Sequence, residues 1–136
     1  MTGTTHSPHQ SLRVLFVDDE VPLQDLLRAE LSRLGHEVTV CANGRAAVKV
    51  LEKSTFDAAI LDLKMPGMSG IELLYGLARR VGARVRFILC SAHSALDQVA
   101  PQHPLVSGRL AKPVEPGELE SLLASASDAL EAATVH

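Results

Sequence analysis

Four stretches of this 136-residue sequence place acidic, hydroxyl or amino side chains directly after a short apolar run. Three consecutive acids, Asp18–Glu20, follow the first run, Asp62 follows the third, Ser91 the fourth and Lys112 a weaker fifth. Alone, Ser91 or Asp62 could be a turn or capping residue and Lys112 a solvated charge, and acids at a strand-to-helix junction such as Asp18–Glu20 often only complement the helix N-terminus. Their shared position after apolar runs indicates one common site.

The carboxylates of Asp18, Asp19 and Asp62 would form a cation-binding pocket if they converge. Two carboxylates about 5 Å apart repel each other by roughly 3 kcal/mol at an effective dielectric constant near 20. Few protein carboxylates, with water and phosphate oxygens completing the coordination, are typical of Mg²⁺. A carboxylate beside Mg²⁺ can attack a phosphoryl group, while a lysine ammonium and a hydroxyl bind the transferred group. The pattern therefore predicts phosphoryl transfer to an aspartate.

Short apolar runs alternate along the chain with segments of helical period. Near-continuous apolar strands are typical of a parallel sheet that is covered on both faces. Strands that alternate with helices favour right-handed crossovers and a doubly wound parallel sheet. Ligands bind at the carboxyl ends of the strands in such sheets, which is where the candidate residues stand. The predicted strands are 12–17, 38–41, 58–61, 85–90 and, more weakly, 107–110.

Four segments carry apolar residues at helical spacing. The first helix is predicted to begin at Pro22 and to end at Gly35, a second follows Asn43, a third begins near Ser69 and the last begins at Pro116. The apolar face of the first helix consists of Leu23, Leu26, Leu27, Leu31 and Leu34.

The segment between the fourth and fifth strands predicts only a degenerate fourth helix. Ser94 and Asp97 have the spacing of a capping box, which favours a helix start. Pro101 and Pro104 then limit this helix to about two turns, because proline removes a backbone donor and clashes with the preceding turn.

The composition is that of one globular domain, with 46% hydrophobic and 21% charged residues. A net charge of −3 gives no basic surface for nucleic acid or an anionic membrane, and no apolar run reaches the roughly 18–20 residues that cross a bilayer. Cys41 and Cys90 are expected to be buried thiols of a cytoplasmic protein. We expect a disordered lead over residues 1–11, one domain over 12–131 and a tail over 132–136.

Taken together, these motifs resemble the bacterial response-regulator receiver domain over roughly residues 12–130. The stretch DLKMPGMSG, residues 62–70, is similar to the family's phosphoacceptor loop, and VDDE at 17–20, LCSA at 89–92 and Lys112-Pro113 accompany it. The resemblance implies an α/β fold with a five-stranded parallel sheet in the flavodoxin-like order 2-1-3-4-5. It also implies a signalling switch of a two-component phosphorelay, which catalyses only its own phosphorylation and dephosphorylation.

By this resemblance, four residues form the metal site and the phosphoacceptor. Asp62 would accept the phosphoryl group and contact Mg²⁺. Asp19 would bind the ion directly, Asp18 would bind it through water, and the backbone carbonyl of Lys64 would complete the protein ligands.

The resemblance assigns two further residues to the phosphoryl group. Ser91 would be the switch hydroxyl that turns toward it, and Lys112 would pair with its charge, with a cis Lys112–Pro113 peptide bond. The donor would be the histidine of a sensor kinase or of a phosphotransfer protein. A downstream effector, whose identity the sequence does not give, would bind the phosphorylated domain.

Three positions are candidates for tuning the switch. Arg109 stands where family members usually carry an aromatic switch residue. One hypothesis is that it responds to the added charge of phosphorylation, and the alternative is a solvated arginine on an edge strand. Lys64 and His93 each lie two residues past a key position, where family members tune dephosphorylation by steering the attacking water.

Two other functions stay open beside the phosphorylated switch. One is an interaction module with this fold that is not phosphorylated, although the intact set of acids, hydroxyl and lysine argues against it. The other is a Mg²⁺-dependent aspartyl phosphohydrolase. The haloacid-dehalogenase type of that enzyme places Asp-x-Asp after its first strand, whereas this chain has adjacent Asp18 and Asp19 there.

Overall fold

A computed structural model describes residues 11–64, 70–81, 84–92 and 103–135. The predicted fourth helix lies outside these residues, as does the predicted disordered lead apart from Ser11. In chain order the elements are β1 (Arg13–Val17), α1 (Val21–Arg33), β2 (Glu37–Cys41), α2 (Gly44–Leu51), β3 (Ala58–Asp62), α3 (Gly70–Val81), β4 (Arg86–Ala92), β5 (Val106–Lys112) and α4 (Pro116–Val135).

The five strands form one parallel sheet in the order β2-β1-β3-β4-β5. The predicted fold class and strand order are therefore confirmed. The order reverses between β1 and β3, so the ends of these two neighbouring strands border the crevice where sheets of this type bind ligands.

Side chains of the sheet alternate between two hydrophobic clusters, because successive residues of a strand point to opposite faces. The first cluster packs against α1 and α4 and includes Val14, Phe16, Ile60, Ile88, Cys90, Leu110, Leu27, Leu31, Leu119 and Leu123. The second packs against α2 and α3 and includes Leu15, Val17, Ala59, Leu61, Phe87, Leu89, Ala47, Leu73, Leu74 and Leu77. Cys41 and Cys90 are both buried and free, as predicted.

Helix α1 ends in a left-handed turn at Gly35, whose φ is 88°. The Gly35 N–H donates to Ser32 O, and the His36 N–H donates to Leu31 O, which is the bonding pattern of a Schellman motif. One detail of the prediction for this helix is wrong. Leu26 is 40% exposed, because the helix turns only Leu27 and Leu31 fully toward the sheet.

Strand β5 changes register against β4 between Phe87 and Ile88. Val106 pairs with Phe87 and Gly108 pairs with Ile88, so the pairing passes over Ser107. The Ser107 hydroxyl is buried without a hydrogen-bond partner in the described structure. One residue has therefore been inserted into the strand, which is the definition of a β-bulge.

Helix α4 runs to Val135, past the domain boundary predicted after residue 131. Its inner face buries Leu119, Leu123 and Ala126, and Leu122 and Leu130 pack at the edge of the cluster. Among the described residues, no helix has the length and apolar character that a membrane crossing requires.

Candidate functional site

The carboxyl ends of β1, β3 and β5 bring three charged side chains to one edge of the sheet. Asp62 is the last residue of β3, and Lys112 is the last residue of β5. Asp18 directly follows β1, and its N–H donates to Cys41 O of β2 at 3.0 Å. The parallel register holds the strand ends level, because Val17 pairs with Leu61.

The Lys112 ammonium lies among three carboxylates. Lys112 Nζ is 2.6 Å from Glu20 Oε1, 3.0 Å from Asp18 Oδ2 and 3.4 Å from Asp62 Oδ2. Burial alone would lower the pKa of Lys112, but hydrogen bonding and the charges of these carboxylates outweigh it and raise the pKa. The lysine is therefore a fixed positive charge at neutral pH.

Asp18 is fully buried, and its two oxygens have different environments. Asp18 Oδ1 accepts a hydrogen bond from the Glu20 N–H at 2.9 Å. Asp18 Oδ2 is paired with the Lys112 ammonium at 3.0 Å and has no other partner in the described structure. Because this ammonium also contacts Glu20 and Asp62, the buried Asp18 oxygen shares its only cation, and a bound cation or its water would add a second partner.

Asp62 is buried, and its Oδ1 accepts a hydrogen bond from the Lys64 N–H at 3.1 Å. Burial raises the pKa of the Asp62 carboxyl, and the neighbouring Asp18 charge raises it further. The Lys64 N–H and the Lys112 ammonium oppose this shift only in part. The site therefore holds Asp62 in surroundings that disfavour its negative charge, and a second cation would reverse this.

One oxygen from each of Asp18, Glu20 and Asp62 lies within 4.8 Å of the others. Three carboxylates around a single ammonium leave an excess of negative charge, and an all-oxygen donor set suits Mg²⁺ better than Zn²⁺. Together with the buried Asp18 oxygen, whose only partner is the shared Lys112 ammonium in the described structure, this geometry fits a small divalent cation.

Asp19 and Glu20 differ from what the sequence led us to expect. Asp19 is exposed and lies outside the group of three, so its direct contact with Mg²⁺ stays a prediction. Glu20 was recognised as part of the acidic stretch but was given no role, and the structure brings it to Lys112. The sequence feature that could have pointed to Glu20 is its place as the third consecutive acid, because a glutamate side chain reaches farther than that of an aspartate.

The remaining predicted site residues are not among the three clustered carboxylates. Ser91 is buried on β4 and pairs with Ala111 of β5, one position before Lys112. The Lys64 side chain is exposed, and Arg109 is an exposed residue of β5. His93 lies outside the described residues. The Lys112–Pro113 peptide bond is cis, which confirms that expectation.

A sequence model of the response regulator receiver domain matches residues 14–124. The chain belongs to this family. The match begins within β1, covers the other four strands in full and ends within the first half of α4, so the receiver domain accounts for most of the described structure.

Curated relatives carry the receiver domain in different contexts. The virulence sensor protein BvgS of Bordetella pertussis is 45% identical over 81 residues, which is 60% of this chain but only 6% of BvgS. Sporulation initiation phosphotransferase F of Bacillus subtilis is 29% identical over 110 residues, which is 81% of this chain and 86% of that protein. The match thus spans a small part of one relative and most of another.

Solved structures agree with the fold of the receiver domain. The chemotaxis response regulator CheY4 of Vibrio cholerae superposes with a TM-score of 0.77 at 25% identity, covering 86% of this chain and 99% of CheY4. The response regulator TrrA of Thermotoga maritima, solved in complex with Mg²⁺ and BeF, gives a TM-score of 0.74 at 29% identity. That match covers 84% of this chain and 97% of TrrA.

Proposed function

We propose that this receiver domain is phosphorylated on Asp62 in a Mg²⁺-dependent reaction and thereby switches its binding to a partner. The observation that carries the proposal is the buried Asp62 carboxylate, which lies 3.4 Å from the Lys112 ammonium and shares that ammonium with the buried Asp18 carboxylate. A nucleophile, a fixed positive charge and an excess of carboxylate charge therefore share one edge of the sheet.

In the proposed step, a carboxylate oxygen of Asp62 attacks the phosphorus of a phosphohistidine. A P–O bond forms, the P–N bond breaks, and the histidine ring leaves with the electron pair of that bond. Lys112 pairs with the transferred phosphoryl group, and Ser91 donates its hydroxyl hydrogen to it. Such transfers depend mainly on positioning and charge neutralisation, which Lys112 and the rigid strand ends provide.

Asp18, Asp19 and Asp62, with the backbone carbonyl of Lys64, would hold the Mg²⁺. When bound, the ion supplies the positive charge that makes attack by a carboxylate on a phosphoryl group feasible. The buried Asp18 oxygen and the closeness of the carboxylates support this assignment.

The proposed donor is a histidine of a sensor kinase or of a phosphotransfer protein. Two relatives are named a sensor protein and a phosphotransferase, which supports a place in a phosphorelay. The output is a downstream effector protein, with no direct binding of nucleic acid or membrane, in the cytoplasm. We place the domain at residues 12–131, with a lead at 1–11 and a tail at 132–136 into which the last turn of α4 extends.

We also propose that Lys64 and His93 tune the lifetime of the phosphorylated state and that Arg109 responds to the added charge. The exposed Lys64 side chain follows the phosphoacceptor by two residues, close enough to act on water that approaches the site. Substituting both Lys64 and His93 should change the phosphorylated lifetime, and Arg109→Ala should alter phosphorylation-dependent partner binding. An unchanged result in either assay contradicts that assignment.

The experiment is incubation with acetyl phosphate and Mg²⁺, followed by intact-mass and peptide mass spectrometry. The expected result is one phosphoryl group on Asp62, which is lost in Asp62→Asn and in the presence of EDTA. Asp25→Asn is the matched control, because Asp25 is exposed and pairs only with Arg28 among the described contacts. Absence of modification would favour the unphosphorylated module, and continuous release of phosphate would favour the phosphohydrolase.

A further inference from the structure

Glu20 occupies the N-cap position of α1 but does not cap the helix. Its backbone is extended, with φ −89° and ψ 112°, and its side chain makes no capping hydrogen bond. N-cap side chains usually accept a hydrogen bond from the first turn. The Glu20 carboxylate instead contacts Lys112 Nζ at 2.6 Å, across 92 positions of sequence.

This contact is the shortest of the three that Lys112 makes with carboxylates. An ammonium has three hydrogens to donate, and each one directed at a carboxylate is unavailable to another anion. A phosphoryl group on Asp62 would need the same ammonium. Glu20 and the phosphoryl group therefore compete for Lys112.

Of the three carboxylates, Glu20 is the one that can leave. Asp18 is tied to the Glu20 N–H, and Asp62 is tied to the Lys64 N–H. The Glu20 side chain is 57% exposed, and in the described part of the chain it has no hydrogen bond other than that to Lys112. Its release exposes it to water at little cost, because half-exposed ion pairs contribute only weakly to stability.

We infer that Glu20 is an electrostatic latch that holds Lys112 until a phosphoryl group displaces it. The inference rests on the proposed function, since it concerns the same lysine and the same transferred group. Glu20 is thus a positioning residue, which sets how readily the receiver domain accepts an anionic group on Asp62.

The test measures the affinity for fluoroberyllate, a phosphoryl mimic, by isothermal titration calorimetry. Wild type, Glu20→Gln and Glu20→Asp are each titrated at a Mg²⁺ concentration shown to saturate that protein. Glu20→Gln should bind fluoroberyllate about two- to fivefold more tightly, because a half-exposed pair of this kind is the interaction removed. Glu52→Gln removes the same charge from an exposed position at the end of α2 and should match wild type.

Glu20→Asp separates the contact from the charge. It keeps the negative charge but shortens the reach by one methylene, so it should also bind fluoroberyllate more tightly than wild type. If it matches wild type while Glu20→Gln binds more tightly, net charge alone explains the effect and the latch is overturned. Circular dichroism spectra of all variants establish that they are folded.

Two outcomes distinguish a failure of the proposed function from a failure of the latch. If wild type binds no fluoroberyllate and is not modified on Asp62, the proposed function fails. If wild type binds and is modified, but Glu20→Gln binds with unchanged or weaker affinity, only the latch fails. NMR of ¹⁵N-labelled lysine gives a second measurement. The Lys112 ammonium signal should shift in Glu20→Gln and, in wild type, upon fluoroberyllate binding.

Discussion

Replacing Asp62 with asparagine should raise the free energy of unfolding by about 1–2 kcal/mol at pH 7 when Mg²⁺ is chelated. Asparagine has the same shape and can keep the hydrogen bond from the Lys64 N–H. The substitution therefore removes the charge and leaves the packing in place.

The sign follows from the balance between the charges near Asp62 and the burial of its carboxylate. The attraction to Lys112 at 3.4 Å is about 5 kcal/mol at an effective dielectric constant near 20. The repulsion from Asp18, whose oxygen lies within 4.8 Å, is about 3.5 kcal/mol under the same conditions. The half-exposed Glu20 adds a smaller repulsion that water screens. These charges nearly cancel, so burial of the carboxylate decides the sign.

The direction of the pKa shift of Asp62 also predicts that Asp62→Asn is more stable than wild type. The pKa of Asp62 is raised above its ordinary value of 3.8, first of all by burial. Between 3.8 and the raised pKa the folded state binds more protons than the unfolded state. Stability is therefore lost as pH rises through this window, and the loss is complete above the raised pKa. The advantage of Asp62→Asn should shrink as the pH is lowered toward that window.

Urea denaturation followed by far-ultraviolet circular dichroism measures this difference, since the chain has no tryptophan. Asp25→Asn, an exposed control, should change the unfolding free energy by no more than about 0.5 kcal/mol. Added Mg²⁺ should stabilise wild type more than Asp62→Asn, because binding to the folded state adds to stability. A variant that is equally stable or less stable than wild type in EDTA would refute the reasoning.

Three further substitutions and one labelling experiment test other features of the fold. Gly35→Ala should lower the unfolding free energy by about 1–2 kcal/mol, because Gly35 has a positive φ. Gly76→Ala within α3 should instead raise the unfolding free energy by up to about 1 kcal/mol, because there is open space around Gly76 and alanine favours a helix. Equal effects of the two variants in urea denaturation would contradict this. His36 accepts a hydrogen bond from the Leu12 N–H, and burial lowers its pKa. Its contribution to the unfolding free energy is therefore present above about pH 6.5 and is lost as pH falls through the lowered pKa. His36→Gln should flatten this part of the plot of unfolding free energy against pH, and an unchanged slope of that plot would argue against the role of His36. Burial raises the pKa of Cys90 to about 12, so native protein should not react with iodoacetamide at this thiol at pH 8, and rapid labelling there by peptide mapping would show that the thiol is accessible.

The sheet could be predicted from the sequence because its strands are nearly continuous apolar runs. β5 was the weakest prediction, placed at 107–110 against an observed Val106–Lys112. As the edge strand, it carries the polar Ser107 and the exposed Arg109, which break the apolar signal. The extent of an edge strand depends on its pairing with β4, and no local pattern encodes that pairing.

The acidic site could be predicted only as a set of residues. Consecutive acids after β1 and single residues after the other strands follow from the order of the chain. Which of Asp18, Asp19 and Glu20 points inward depends on the turn between β1 and α1. That turn buries Asp18, leaves Asp19 exposed and directs Glu20 to Lys112.

The extra residue in β5 determines which way its last side chain faces. Val106 and Ala111 pack against the same hydrophobic cluster, although an odd number of positions separates them and a regular strand would send them to opposite sides. The alternation of side chains between the two faces of the sheet therefore shifts by one position at Ser107. The residues from Gly108 onward set the direction in which Lys112 points. A residue gained or lost ahead of Ser107 should therefore leave the direction of the Lys112 side chain unchanged. One residue gained or lost after Ser107 would turn the ammonium away from Asp62.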